Sequence, residues 1–425
     1  MKKSFVIKGT ICHTPELGKL EIREDAYVVC EDGICAGVFG ELPERFADLP
    51  LLDHTGKAVI PGLVDLHIHA PQYAIRGTGY DHELLEWLYQ NTFPEEMHYA
   101  DPDYANRAYD MFTEKMRRSA TTRAVIFGTI HREATLGLME KMERSGLVTY
   151  VGKVNMDRNA PEGLLEKDAL AAAEDTRQFI LEAQEKGFAR TKPIITPRFV
   201  PSCSDQLLKK LGELSLEYRL PVQSHLSENK DEVQLVQELV PEAAFYGDAY
   251  DRYHLFGGRM PAVMAHCVHS SPAEVERIKQ NGVWVAHCPA SNMNLTSGIA
   301  PMRRYLSQGL RCGLGTDVSA GTSASMFRAV TDAIQVSKLY RRYIDPDCKP
   351  LTFAESLFLA SKGGGAFFGK VGSFEKGYEF DALILSDESE PVPRSLRAVD
   401  RLERIFYLGL DQAGIVQKFV AGREI

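Results

Sequence analysis

Two histidines one residue apart, His67 and His69, end the apolar stretch PGLVDLHIHAPQ at residues 61–72. Side chains alternate faces along a strand, so Asp65, His67 and His69 share one face while Val64, Leu66 and Ile68 take the other. Two imidazoles side by side at a strand's carboxyl end are half of a metal site, because a catalytic zinc typically takes three protein ligands and keeps a position for water. Other apolar runs end in the missing groups: SHLSE brings His225 and Glu228, AHC brings His266, and GTD brings Asp317. Buried ionisable groups are costly unless paired or metal-bound, so this clustering is hard to explain as packing. Three imidazoles (His67, His69 and His225) with the carboxylate of Asp317 would enclose one divalent ion. Zinc is the expected ion and iron(II) the alternative. A zinc ion lowers the pKa of its water to about 7. Glu228, just past His225, is placed to shuttle a proton from that water to a substrate, and His266 to hold or deprotonate the water from a second direction. Gln72 and Arg198 are suited to reading the edge of a small polar ring.

Aiming these groups at one point takes a scaffold. From residue 61 the chain repeats an apolar strand followed by an amphipathic helix. Strands are predicted at 63–69, 124–130, 149–156, 194–199, 221–226, 262–268, 283–288 and 313–318, with helices at 106–118, 169–183, 205–218, 272–280 and 324–343. Eight such units match a (β/α)8 TIM-like barrel, an α/β fold whose chemistry sits at the carboxyl ends of the strands. Residues 1–60 and 371–425 instead alternate short apolar runs with Gly turns, and both chain ends are expected to build one small β-sandwich beside a barrel of 61–370. Gly363–Gly365 lacks the strand–Gly-x-Gly-x-x-Gly–helix order of a phosphate loop and is expected to permit close packing at the barrel's end.

The bulk properties narrow the classes. A chain of 425 residues exceeds one ordinary core, which fits a large barrel plus a smaller unit. A net charge of -9 argues against nucleic-acid binding. No apolar run approaches membrane-spanning length. The start MKKSFVIKGT has only three apolar residues between charged ones, so no signal peptide is expected. Eight cysteines without a Cys-x-x-Cys pair read as reduced thiols of a cytoplasmic protein.

The order His-x-His, His, His, Asp resembles the amidohydrolase superfamily. Within it, SHLSEN at 224–229 resembles the deaminase branch, whose glutamate is the proton shuttle. Seven stretches in order are similar to the guanine deaminase family and together run over most of the chain. They are HIHAPQY (67–73), LLEWLYQNTFPEE (84–96), VGKVNMDRN (151–159), KPIITPRFVPSCS (192–204), QSHLSENKDEV (223–233), AHCPASN (286–292) and GLGTDVSAG (313–321). The resemblance implies hydrolysis of guanine to xanthine and ammonia, with metal ligands His67, His69, His225 and Asp317. It implies Glu228, His266 and Asp317 for the chemistry, and Gln72, Arg198, Phe199 and His225 around the ring. It also implies a homodimer. One departure is Pro71, where a small polar residue is expected, and it could change how Gln72 is aimed. Rival expectations are the same chemistry on a pterin, 8-oxoguanine or triazine ring, or a non-catalytic amidohydrolase-like binding module, which typically lacks metal ligands.

Two-metal members of the superfamily bridge the ions with a modified lysine or a glutamate near the fourth strand end. Here that end carries Arg198, which is always charged and cannot ligate, so one metal is expected. Lys153 on the third strand is read as structural. His287 is expected to hydrogen-bond near the site and His269 to be a loop residue. His131 imitates half of a cytidine-deaminase signature whose Pro-Cys-x-x-Cys half is missing. His13, His54, His82, His98 and His254 are read as surface or core residues, with His82 in a loop that could cover the site. Trp87 and Phe93 either cap the pocket or simply pack.

Overall fold

The structure, a computed structural model, describes residues 4–393 and 395–425. The first three residues of the MKKSFVIKGT start, on which the expectation about a signal peptide partly rests, lie outside the described residues. Four strands open the chain: β1 (Phe5–Glu16), β2 (Lys19–Glu31), β3 (Ile34–Phe39) and β4 (Leu51–Pro61). Asp32 (φ 50°) and Gly33 (φ 82°) make the turn between β2 and β3. Two left-handed residues in a two-residue hairpin loop are what an Asp-Gly pair favours.

Strands then alternate with helices through β5 (Leu63–His69), β6 (Thr121–Phe127), β7 (Val148–Gly152), β8 (Val154–Asn155), β9 (Thr191–Pro193), β10 (Thr196–Pro197), β11 (Val222–Leu226), β12 (Ala262–His266), β13 (Trp284–His287) and β14 (Arg311–Leu314). β5, β6, β7 and β9 pair in parallel, as do β11 through β14. A parallel bridge between Ile195 and Val222 links the two sheets at one seam. At the other, the Asp317 amide donates to His67 O (2.8 Å) and the His69 amide to Val318 O (3.0 Å). Every residue of β5 and β6 is buried, as expected of parallel strands covered on both faces. The chain thus has the strand-and-helix alternation of a TIM-barrel fold, with the strands' carboxyl ends on one side.

Of the predicted fourth strand (194–199) only Thr196–Pro197 (β10) is strand, and β9 ends just before the span at Pro193. Proline cannot donate to a ladder, so the pairing breaks there. The second strand runs over 121–127 rather than 124–130, because Thr129 leaves the ladder and its amide donates to Thr135 Oγ1 (3.3 Å). Helices Pro102–Arg118, Ala169–Glu185, Asp205–Tyr218, Pro272–Asn281 and Met326–Tyr343 fall close to the predicted spans. The close-packing role of Gly363–Gly365 is visible: a Cβ on Gly363 would come 2.8 Å from Cys312 O beside β14.

The chain closes with β15 (Ala382–Leu385), β16 (Ile415–Val420) and β17 (Arg423–Glu424). These join the first four strands in a single seven-stranded sheet, ordered β17-β16-β15-β4-β1-β2-β3. Two strands separate β1 from β16, which in a flat sheet means roughly 14 Å. The Phe5 and Phe419 rings are nevertheless 4.8 Å apart, so the sheet curls around a core that also holds Val28 and Phe380. This curled unit is tied to the barrel strands by Arg123 on β6, which donates to Asp381 (2.7 and 3.1 Å) and Glu379 (2.8 Å). Lys418 on β16 adds bonds to the carbonyls of Arg117 (3.0 Å) and Ser119 (2.9 Å) at the end of helix Pro102–Arg118. Cys12, Cys35, Cys203, Cys267, Cys288, Cys312 and Cys348 are free thiols. No helix among the described residues is long and apolar enough to cross a membrane.

Candidate active site

The carboxyl ends of β5, β11 and β12 and the turn after β14 converge on one point. His67 Nε2 and His69 Nε2 are 3.2 Å apart, and His225 Nε2 is 3.2 Å from His69 Nε2. Asp317 Oδ1 lies 3.2 Å from His67 Nε2 and 3.4 Å from His69 Nε2. His225 Nδ1 donates to Arg198 O at 2.5 Å, which leaves the lone pair on Nε2. Burial holds His67, His69 and His225 well below the ordinary imidazole range, so all three are neutral near pH 7. Burial also raises the Asp317 carboxyl to about 6. Neutral imidazole nitrogens so close together repel unless a cation lies between them. This His/Asp group fits a divalent metal by donor type and spacing.

Asp65, on the same face of β5 as the two histidines, braces the cluster. Its carboxyl accepts the amides of His67 (3.2 Å) and Thr316 (3.0 Å) and the Thr316 hydroxyl (2.5 Å), locking β5 to the turn that carries Asp317. Four non-glycine residues at these strand ends have left-handed backbones: Ser227 (φ 48°), His266 (φ 75°), Cys267 (φ 51°) and Asp317 (φ 47°). Such conformations cost about 1–3 kcal/mol each and persist where the surroundings enforce them.

Glu228 Oε2 is 3.3 Å from His266 Nε2, and Glu228 Oε1 accepts from Ser297 Oγ at 3.3 Å. Burial, then the negative Asp317 and Glu232, push Glu228 well above the usual carboxylate range, which favours its protonated form. His266 Nδ1 lies 2.9 Å from Asn292 Oδ1, which assigns its hydrogen there and turns Nε2 to Glu228. His269, read from sequence as a loop residue, contributes here: its Nε2 donates to Ser297 O at 2.7 Å and pins the residue that touches Glu228.

Above this floor is a pocket whose empty space, counted out to its open mouth, is about 400 Å³. Its polar wall is Gln72 and Arg198, and its apolar walls are Leu84, Trp87, Leu88, Phe199, Leu295 and Ala320. Pro71 sits in the short turn Ala70–Ile75 and leaves Gln72 lining the pocket. Sequence reasoning missed Glu96, which is buried and accepts from both Gln72 Nε2 (2.9 Å) and Arg198 Nη1 (2.5 Å).

The sequence matches the amidohydrolase family over residues 58–424, a span that includes the barrel strands and the last three strands of the seven-stranded sheet. The chain belongs to the amidohydrolase family. Among its relatives is a guanine deaminase of Dictyostelium discoideum, 34% identical, with 100% of this chain and 99% of that protein covered. A guanine deaminase of Escherichia coli is 33% identical over 100% of this chain and 96% of its own. A crystal structure of guanine deaminase from C. acetobutylicum with bound guanine in the active site superposes with a TM-score of 0.96, at 45% identity and 100% coverage of both chains.

Other residues of this amidohydrolase divide into pocket and scaffold. Trp87 lines the pocket and donates Nε1–H to Thr78 O (3.2 Å), while Phe93 lies under the Arg198 guanidinium at 5.1 Å. His82 pairs with Glu86 at 3.2 Å and does not line the pocket. Lys153 is buried and held by Glu166 (2.6 Å) and Asp175 (3.3 Å). His287 differs from expectation: neither ring nitrogen has a hydrogen-bond partner among the described residues. It lines a small cavity together with Met302, Arg303, Ser337 and Tyr340, and burial lowers it to about 3.

Proposed function

We propose that this amidohydrolase hydrolyses guanine to xanthine and ammonia. The observation that carries the reading is one small pocket joining a Glu228 whose protonated form is favoured, beside the His/Asp cluster, to a buried guanidinium, Arg198. Full-length similarity to guanine deaminases, one with guanine bound, supports it. His67, His69, His225 and Asp317 hold one divalent ion, zinc in the first instance and iron(II) as the alternative. The ion supplies a water activated for attack at neutral pH. Arg198 at the fourth strand end and the paired Lys153 leave no bridging ligand for a second ion.

Arg198 pairs with the ring carbonyl and Gln72 with the ring's polar edge, while Phe199 and His225 bound the ring. Glu228 delivers its proton to the ring nitrogen beside the amine-bearing carbon, and His266 and Asp317 orient the attacking water. Of the attacking water's two protons, one restores Glu228 and the other goes to the departing amine, so ammonia leaves and the ring carbon becomes a carbonyl. Adenine lacks the carbonyl, and a site built to hydrogen-bond a substrate group rejects its absence by about 10⁴-fold.

Residues 61–370 form a closed (β/α)8 barrel in this proposal, with 1–60 and 371–425 as the two parts of a β-sandwich. Hydrogen bonds at both barrel seams and the Phe5–Phe419 contact support it. The free thiols fit a cytoplasmic enzyme, and exposed Leu339, Tyr343 and Ile344 fit a homodimer surface.

Chelation tests the metal half directly. Ammonia release from guanine should vanish when the ion is stripped and return with zinc; a rate indifferent to chelation would refute the site. Zinc affinity of the stripped protein should be level at neutral pH and above and weaken as the pH falls through about 6, where Asp317 gains a proton. The lowered histidines do not compete for protons until lower pH. Titration with zinc across pH checks this, and affinity unchanged well below that range would remove Asp317 from the ligand set.

A further inference from the structure

With guanine as the substrate, we propose that Glu96 is a positioning residue that makes the pocket take oxopurines in their neutral form and turn away their anions. Its carboxylate is 1% exposed and is divided between the two ring-reading groups. Oε2 accepts from Arg198 Nη1 at 2.5 Å, and Oε1 accepts from Gln72 Nε2 at 2.9 Å. Arg198 is the single Lys or Arg side chain among the pocket's lining residues. A buried guanidinium left alone would hold an anionic ring far better than a neutral one, because charges are weakly screened there. Paired with Glu96, it keeps free N–H donors for a carbonyl oxygen while its net charge is cancelled.

Glu96 also sets which way the Gln72 amide faces. The Gln72 oxygen accepts the Ser319 amide at 3.3 Å while its nitrogen is held by Glu96. Turning the amide over would set oxygen against oxygen and N–H against N–H. The chemical consequence concerns the product. Xanthine is a stronger acid than guanine and is partly anionic near neutral pH, so a pocket that favoured the anion would retain it. Cancelling the Arg198 charge lets xanthine leave.

The test is calorimetric binding of xanthine and of hypoxanthine, which keeps its ring protons to higher pH, across neutral and mildly alkaline pH on zinc-loaded protein. In the wild type, the xanthine Kd should rise about tenfold per pH unit above xanthine's own ionisation, with hypoxanthine unchanged. A flat xanthine affinity overturns the proposal even if no variant folds. In Glu96→Gln, xanthine at alkaline pH should gain at least about tenfold relative to hypoxanthine, and Glu96→Asp should restore the wild-type slope. Parallel weakening of both ligands at every pH is what loosened packing alone would give, and it would overturn the proposal. Guanine turnover with a flat slope defeats only the Glu96 proposal, whereas no binding of any oxopurine defeats the guanine reading and this proposal with it.

Discussion

Replacing Glu228 by Gln should leave metal content and guanine KM close to wild type while kcat falls by about 10²–10⁴-fold, the usual worth of a positioned general acid–base group. The side chain lies outside the His67–His69–His225 donor group, so the ion should stay bound. Gln keeps the shape and an oxygen for the Ser297 hydroxyl, which bonds Glu228 Oε1 at 3.3 Å. What it lacks is a proton to give. Burial and the neighbouring Asp317 push Glu228 well above the usual carboxylate range and so favour that proton, 3.3 Å from His266 Nε2. Loss confined to kcat is the signature of an interaction made in the transition state. Steady-state kinetics with metal analysis on the same sample decides it, and wild-type-like turnover would remove Glu228 from the mechanism.

The second large effect falls on stability rather than chemistry. Arg123→Met should lower the unfolding free energy by about 3–5 kcal/mol, the cost of leaving one partner of a buried ion pair uncompensated. Arg123 is 2% exposed and grips Asp381 with two parallel bonds at 2.7 and 3.1 Å. Asp381 also accepts the Ala421 amide at 2.7 Å, so one carboxylate ties β6, β15 and the last turn of the chain together. Adding Asp381→Asn should recover part of the loss, because it removes the stranded charge and keeps an acceptor for Ala421. Denaturant unfolding of both variants provides the comparison. A loss below about 1 kcal/mol for Arg123→Met would show that this pair contributes little.

The metal-site constellation was legible because its members lie at or just past the carboxyl ends of apolar strands. Strand periodicity of two fixes which residues share a face, so His67 and His69 could be placed together from sequence alone. Glu96 was not legible. It sits beside Glu95 in the turn FPEEM, where acidic residues are ordinary, and only the packing of that turn against Arg198 and Gln72 distinguishes the two. The Asp65–Thr316 bond spans 251 residues, so the face of Asp65 could be read but not its partner. The fourth strand is shorter than the apolar run 194–199 suggests, because Pro193 and Pro197 cannot donate to a ladder. Helix Ala398–Tyr407 went unseen in a region read as strands; ten residues of amphipathic pattern are a weak signal until Phe406 is found 4.0 Å from Phe327. His287 reads from sequence as a hydrogen-bonding residue near the site, and its burial beside a separate small cavity is a tertiary outcome.

The most direct measurement is initial ammonia release by the zinc-loaded protein from guanine, adenine, a pterin, 8-oxoguanine and an amino-substituted triazine, run side by side. Guanine should be turned over rapidly, with adenine slower by about 10⁴-fold because Arg198 has no carbonyl to meet. Faster release from any of the other rings, or no release from guanine with metal bound, would contradict guanine as the substrate.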